Sequence, residues 1–272
     1  MARYDTKVAI AQQLADGKFH SGEALGQKFQ ISRTAIANHI KSLIELGLDI
    51  FSVQGKGYRL ATDMTLLSAR AIATSCETET ELEIQPVLPS TNDYLMQKIR
   101  NRERLADGFT VLAECQTAGR GRRGRQWQSP FGSHVYLSQY RSMEDGLVAA
   151  SGLSLAIGVA VMRACNRFVS EGIELKWPND VLHNKRKLAG ILVEAEGQSD
   201  GVCHLVVGIG INIQMPEKAA EEIDQDWVDL MTIAENEVDR NQFVSVLLDE
   251  LDAVIQEYKS NRLTNLMQEW NA

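Results

Sequence analysis

Between positions 119 and 124 the chain runs Gly119-Arg120-Gly121-Arg122-Arg123-Gly124, glycines interleaved with arginines. Glycine lets a backbone turn sharply and approach a ligand closely, and each guanidinium is a permanent charge with a planar fork of donors. That mixture suits an anion, above all a phosphate. The string also spells G-x-G-x-x-G, but a dinucleotide fingerprint needs an apolar helix straight after the turn. Here Arg125-Gln126-Trp127-Gln128-Ser129-Pro130 follows, with no apolar face and a closing proline, so that reading is set aside. A phosphate loop and a solvated surface loop both stand at this point. Downstream lie Lys176-Trp177-Pro178-Asn179-Asp180 and Arg186-Lys187-Leu188-Ala189-Gly190-Ile191-Leu192, which bring cations, an amide and a carboxylate.

These residues need elements to position them. Thr110 to Cys115 reads as a strand, so the glycine/arginine loop leaves a strand's carboxyl end, where open sheets bind ligands. Leu82, Ile84 and Val87 form an earlier strand that Pro89 stops, and Ser90 or Asn92 caps a helix through Ile99. Capping and facing a ligand are two readings of these polar residues. His134 to Arg141 is a further strand, and Leu147 to Val169 a long helix. Trp177-Pro178 fixes an extended path, and Asn179-Asp180 marks a tight turn. A hairpin follows, with Val181-Leu182, a polar turn His183 to Lys187, and a strand Leu188 to Glu196. His204 to Ile213 is β-branched and apolar, and Gly208 and Gly210 allow close backbone approach. A polar loop over 214–232 holds Trp227, and helices near 240–259 and 261–270 close the chain. Many strands with few intervening helices predict an α+β fold, a mixed sheet backed by helices.

The first sixty residues differ in charge. They hold eight Lys/Arg against five Asp/Glu, a balance of +3, leaving −11 on the remainder of a chain whose net charge is −8. Only this piece has a balance suited to nucleic acid. An amphipathic helix over 4–16 is followed by Ser21, which caps a short helix through Phe29. Ser32 caps a second, whose Ile36, Ile40, Leu43 and Ile44 share a face and which Gly47 ends. Leu48 to Val53, the turn Gly55-Lys56-Gly57 and Tyr58-Arg59-Leu60 form a hairpin. Helix-turn-helix plus hairpin is a winged helix, with Ser32, Arg33, Thr34, Asn38, Lys41 and the wing's Lys56 as DNA-facing candidates. A protein-contact module is the competing reading. The boundary falls at Ala61 to Met64, giving domains 1–62 and 66–272.

Composition and cysteines narrow the class. The sequence is 44% hydrophobic and 24% charged, as in an ordinary globular protein. Cys76, Cys115, Cys165 and Cys203 form no C-x-x-C pair, which predicts reduced thiols and a cytoplasmic location. Leu147 to Cys165 is apolar, but its small residues and its flanking Arg163 and Arg167 predict a buried helix rather than a membrane span.

Taken in order, Pro89-Ser90-Thr91-Asn92, Gln116 ahead of the glycine/arginine loop, Trp127, Lys176 to Asp180, Arg186 to Leu192 and Gly208-Ile209-Gly210-Ile211-Asn212 resemble the biotin protein ligases. Each motif is weak alone; together and in order they are specific. The winged helix ending in Gly55-Lys56-Gly57-Tyr58 is similar to that of the bifunctional bacterial form, the biotin operon repressor. The resemblance runs from about residue 7 to the end. It implies a central domain of the class II synthetase type. The resemblance implies that bacterial members continue into a small C-terminal β domain, and that this sequence, ending at Ala272, stops short of it, either cut there or from a member without it.

The implied reaction has two steps. Biotin's carboxylate attacks the α-phosphate of ATP, giving biotinyl-5′-adenylate and pyrophosphate. A lysine of the biotin carboxyl carrier protein of acetyl-CoA carboxylase then attacks the activated carbonyl. The resemblance implies catalytic roles for Lys187, Arg120 and Arg122, with Mg2+ beside them and Asp180 near the metal. It implies biotin contacts from Ser90, Thr91, Asn92, Gln116, Arg120, Gly121, Arg122, Trp127, Lys187 and Gly190. For ATP it implies Arg122, Trp127, Lys176, Asn179, Asp180, Asn212 and Trp227. A solvated hairpin lysine is the competing reading of Lys187, and loop packing that of Trp227. Operator DNA and a ligand-induced homodimer are the remaining implied partners. A lipoate-type ligase, or a metabolite-sensing repressor without ligase activity, are the alternative functions.

Overall fold

The computed structural model describes residues 2–61, 64–143, 152–197, 202–261, 263–264 and 266–270. The chain opens with α1 (Ala2–Leu14), α2 (Gly22–Phe29) and α3 (Arg33–Glu45), then the hairpin β1 (Ile50–Val53) and β2 (Gly57–Leu60). Local chemistry sets these boundaries. The Ser21 hydroxyl accepts from Ala24 N at 3.0 Å, and that of Ser32 from Ala35 N at 3.1 Å, each satisfying a first-turn donor. Gly47 ends the α3 region at φ +94, where a side chain is strained. Ile36, Ile40 and Leu43 are buried, which leaves Arg33, Thr34, Asn38 and Lys41 exposed on the other side of α3.

This small core is not closed on itself. Cys115 and Phe131, from well beyond the predicted boundary, belong to the same buried cluster as Leu43 and Leu48. Phe131 N also donates to Leu46 O at 2.9 Å. The boundary residues Thr62 and Asp63 lie outside the described residues. After them the chain is clamped: Glu114 and Arg240 form a buried ion pair at 2.8 Å, and Leu67 N donates to the same carboxylate at 2.5 Å. The next helix, α4 (Ala69–Ser75), starts after Ser68, whose hydroxyl accepts from Ala71 N at 3.3 Å.

The larger unit is a seven-stranded mixed sheet: β3 (Leu82–Gln85), β4 (Thr110–Ala113), β5 (Val135–Met143), β6 (Ile173–Lys176), β7 (Asp180–His183), β8 (Arg186–Gly197) and β9 (Cys203–Ile211). Their spatial order is β3-β4-β5-β9-β8-β7-β6, with β3 and β4 parallel and every other pair antiparallel. Helices Leu153–Cys165 and Arg240–Asn261 cover one face, and α5 (Thr91–Arg100) lies on the other. Strand β9 alternates between them. Val207, Ile209 and Ile211 enter the helix-backed core, while Val206 packs with Leu95 and Met96 of α5. Gly208, Gly210 and Asn212 share that second face by the two-residue period of a strand.

Three local expectations are corrected. Trp177-Pro178 is a cis peptide within a turn joining β6 to β7, not an extended path. The hairpin turn is only Asn184-Lys185, both at positive φ, so Arg186 and Lys187 belong to β8. The helix expected over Leu147 to Val169 is Leu153–Cys165, and residues 147–151 lie outside the described residues. Among the described residues no helix is long and apolar enough to cross a membrane.

Candidate active site

On the α5 side of the sheet lies a cavity of about 400 Å³. Its wall includes Ser90, Thr91, Asn92, Gln116, Arg120, Gly121, Arg122, Trp127, Lys187 and Gly190, and also Lys176, Asn179 and Asp180. A second cavity of about 560 Å³ adjoins it, lined by Asn212, Met215 and Trp227 among others. The two share Arg125, Gln126, Trp127, Lys187 and Gln225. Every residue named from the sequence for the ligase site thus lines one chamber or both. Gly208, not assigned a role there, also lines the inner chamber, and the fully buried Ser138 braces that wall from behind.

The inner wall is a prearranged polar network. Ser90 caps α5, its hydroxyl accepting from Asp93 N at 3.4 Å. Gln116 Oε1 accepts from Thr91 N at 2.9 Å, and its Nε2 donates to Ser129 Oγ at 3.1 Å. Ser138 Oγ lies 2.7 Å from Thr91 Oγ1 and 2.6 Å from Asn92 Oδ1. Asn92 sits over Gly208, where any Cβ would collide with its carboxamide. The capping reading holds for Ser90, while Thr91 and Asn92 turn inward and line the cavity.

The partition between chambers is Trp127. A Cβ on Gly210 would stand 2.5 Å from its Cε2, and one on Gly190 3.0 Å from its Cζ3, so the indole lies on two neighbouring strands that must be bare there. Gly190 and Gly210 are register partners in the β8–β9 ladder. The indole N–H is buried and has no hydrogen-bond partner among the described residues.

Lys187 reaches the same place, its Cε standing 3.4 Å from where a Cβ on Gly190 would lie. A register shift between Val181 and Leu182 pairs Leu182 with Lys187 and Val181 with Ala189. Its Nζ stands 5.4 Å from the Trp127 ring centroid and 3.0 Å from Asp180 Oδ1, with the side chain 15% exposed. A solvated turn lysine is therefore excluded. Lys187 N donates to Asp226 O at 2.9 Å, and Val228 N to Lys187 O at 2.9 Å, so the 226–228 segment is stitched along β8. Asn212 Nδ2 fastens this junction, donating to Val228 O at 3.1 Å and Lys187 O at 3.3 Å. That stitching brings Trp227 to the outer chamber.

The glycine/arginine loop closes over the site. Gly121 N donates to Arg125 O at 2.7 Å and Trp127 N to Gly119 O at 2.9 Å. Arg122 Nη1 donates to Asn179 Oδ1 at 3.3 Å, and Arg120 pairs with Asp93 and Glu194. The donor set does not fit a resident magnesium ion. Asp180 is engaged by Lys187, and among the described residues no group of three or more His, Cys, Asp or Glu is placed to hold a metal.

Of the DNA-facing candidates, Ser32, Arg33, Thr34, Asn38, Lys41 and Lys56 are all exposed, the last at the wing tip. The hydroxyl of Ser32 is occupied by capping. The wing is pinned to the start of α2 by reciprocal His20–Tyr58 backbone bonds at 2.9 Å.

Comparison with known proteins agrees with this geometry. Residues 84–212 match the biotin/lipoate A/B protein ligase family, and residues 7–59 match a helix-turn-helix domain family. The chain is 41% identical over 268 residues to the bifunctional ligase/repressor BirA of Salmonella typhimurium, covering 98% of this chain and 82% of that protein. It is 40% identical over 257 residues to the Escherichia coli protein of the same name, covering 94% of this chain and 78% of that one. A biotin protein ligase from Aquifex aeolicus, solved in complex with biotin and ATP, matches with a TM-score of 0.56 at 26% identity, covering 70% of this chain and 76% of that one. The chain belongs to the biotin/lipoate A/B protein ligase family and, over nearly its whole length, to its bifunctional ligase/repressors.

Proposed function

We propose that the protein is a biotin protein ligase and biotin-responsive repressor, forming biotinyl-5′-adenylate and transferring biotin to a lysine of a carboxyl carrier protein. One observation carries the catalytic reading: two adjoining cavities share Trp127 and Lys187, with the ammonium beside the partition. The inner chamber, walled by Thr91, Asn92 and Gln116, suits a small polar head group, and the outer, with Asn212 and Trp227, a nucleotide. The buried indole N–H of Trp127 is a spare donor at the junction.

In the first step a carboxylate oxygen bonds to the α-phosphorus while the α–β anhydride breaks and pyrophosphate leaves. Two anions must meet, so fixed positive charge is the main requirement. Lys187 and Arg122 supply it, and Asp180 holds the Lys187 side chain in place. Arg120 covers the head group. Any magnesium would come as the counter-ion of the nucleotide phosphates, since the described residues form no cage of their own for it. In the second step the carrier amine displaces AMP and an amide forms.

The winged helix, 1–62, reads operator DNA through Arg33, Thr34, Asn38 and Lys41, and 66–272 carries catalysis. Its +3 balance doubles in a two-fold dimer, which suits a palindromic site. The location is cytoplasmic. Incubation with biotin, ATP and a carrier domain, read by mass spectrometry, tests the reading. A biotin adduct on the carrier lysine is expected; an unmodified carrier, or a lipoyl adduct when lipoate is offered instead, would overturn it.

A further inference from the structure

Two carboxylates outside both chambers hold the loop that covers them. Glu194, on β8, accepts from Asn92 Nδ2 at 2.8 Å. The same carboxylate lies 3.4 and 3.5 Å from Arg120 Nη2 through its two oxygens. Asp93, in the first turn of α5, pairs with that same guanidinium nitrogen. Neither acid lines either cavity. The loop behind Arg120 is closed on itself by the Gly121–Arg125 and Gly119–Trp127 backbone bonds, so what fixes Arg120 fixes the loop and the partition with it.

We infer that Asp93 and Glu194 are positioning residues for the ligase reaction: together they tether Arg120 and so hold the glycine/arginine loop over the head-group chamber. This rests on the biotin-ligase reading above. Glu194 does double duty, because one carboxylate orients Asn92 on the wall and Arg120 on the cover. Arg120 and Asp93 are each 42% exposed and Glu194 28%, so each pair is screened and modest, and the tether works through their combination. A loosened cover lets ligand escape without altering the charges at the reacting phosphate. Its signature is therefore weaker retention of biotin and adenylate, not slower chemistry.

The chemistry of the substitutions separates the two tasks of Glu194. Glu194→Gln keeps a carbonyl oxygen for Asn92 but removes the charge facing Arg120, whereas Glu194→Ala removes both. In the full chain, Asp93→Asn and Glu194→Gln should each raise the biotin KM by about threefold to fivefold, the range of one exposed pair. Release of adenylate into solution should quicken by the same factor, with kcat for adenylate formation within about twofold of wild type. High salt should raise the wild-type KM and leave the Asp93→Asn/Glu194→Gln double variant unmoved. Glu194→Ala should exceed Glu194→Gln, and in all three single variants the amides of Gly121 and Trp127 should exchange faster with deuterium. Wild-type KM, release and exchange in both charge-neutral variants would overturn the tether. So would Glu194→Gln matching Glu194→Ala with a lowered kcat. Failure of the wild type to bind biotin would instead remove the ligase reading, and the amide exchange, which needs no ligand, would still decide the tether.

Discussion

Replacing Lys187 with methionine removes one charge and little volume. A unit charge about 4 Å from the phosphate, at an effective dielectric of about 20, contributes about 4 kcal/mol, or roughly three decades in rate. Asp180 modifies that figure. It stands 3.0 Å from the Lys187 ammonium. One ion-pair length further out, at about 7 Å, it repels the same charge by about 2 kcal/mol. In Lys187→Met that repulsion is left uncompensated, so adenylate formation should fall by about three decades. In Lys187→Met/Asp180→Asn it goes as well, and one to two decades should return, roughly the 2 kcal/mol just removed. Stability should move by no more than about 1 kcal/mol, because a partly exposed pair is worth little. Single-turnover adenylate formation from radiolabelled ATP, with thermal melts of each variant, measures both. A methionine variant within threefold of wild type would refute the role of Lys187, and a double variant slower than the single one would refute the electrostatic accounting.

Other consequences are equally concrete. Gly210→Ala sets a Cβ 2.5 Å from Trp127 Cε2, so the indole must move; stability should fall by about 1–3 kcal/mol and the KM for biotin and for ATP should both rise, and unchanged kinetics would show that Trp127 is not the partition. Arg33→Ala should weaken operator binding by about tenfold and leave adenylate formation intact, while in the wild type biotin plus ATP should tighten operator binding at least about tenfold, about 1.4 kcal/mol. Titrations by fluorescence anisotropy read both effects, and equal affinity with and without the two ligands would leave ligase and repressor uncoupled. His134 is fully buried, accepts from Ile213 N at 3.0 Å, and has its pKa pushed down to about 3 by burial, helped by the Arg240 charge. The unfolded imidazole titrates near 6.5, so below that pH the unfolded chain gains a proton that the fold refuses, and stability should drop by about 1.4 kcal/mol per pH unit toward pH 3. Urea titrations at pH 7.5, 6 and 5 stay above the range of the depressed carboxylates Glu83, Asp107 and Asp249; a flat profile there would refute it.

What the sequence made legible was local. Ser21, Ser32 and the Ser90/Asn92 pair announce helix starts because a cap is decided within three residues, and Ser21, Ser32 and Ser90 accept the backbone bond. The Gly208-x-Gly210-x-Asn212 alternation tells which face of β9 is bare, because the side-chain period of a strand is two. Where the sequence misled, the deciding contact lay far along the chain. Lys187 reads as a turn lysine until the register shift at Val181 and the 226–228 segment claim it for β8. Phe131 lies more than seventy positions beyond the wing, yet it completes the core of the winged helix. Glu194 and Asp93 are about a hundred positions apart and come together on Arg120, and no periodicity encodes such a meeting.

In the proposed function the paired chambers activate biotin by adenylation. Biotin-dependent exchange of labelled pyrophosphate into ATP by the purified chain tests that step alone, with no carrier protein or DNA present. Exchange should require biotin, should not be supported by lipoate, and should collapse in Lys187→Met. Absence of exchange in the wild type, or equal exchange with lipoate, would contradict it.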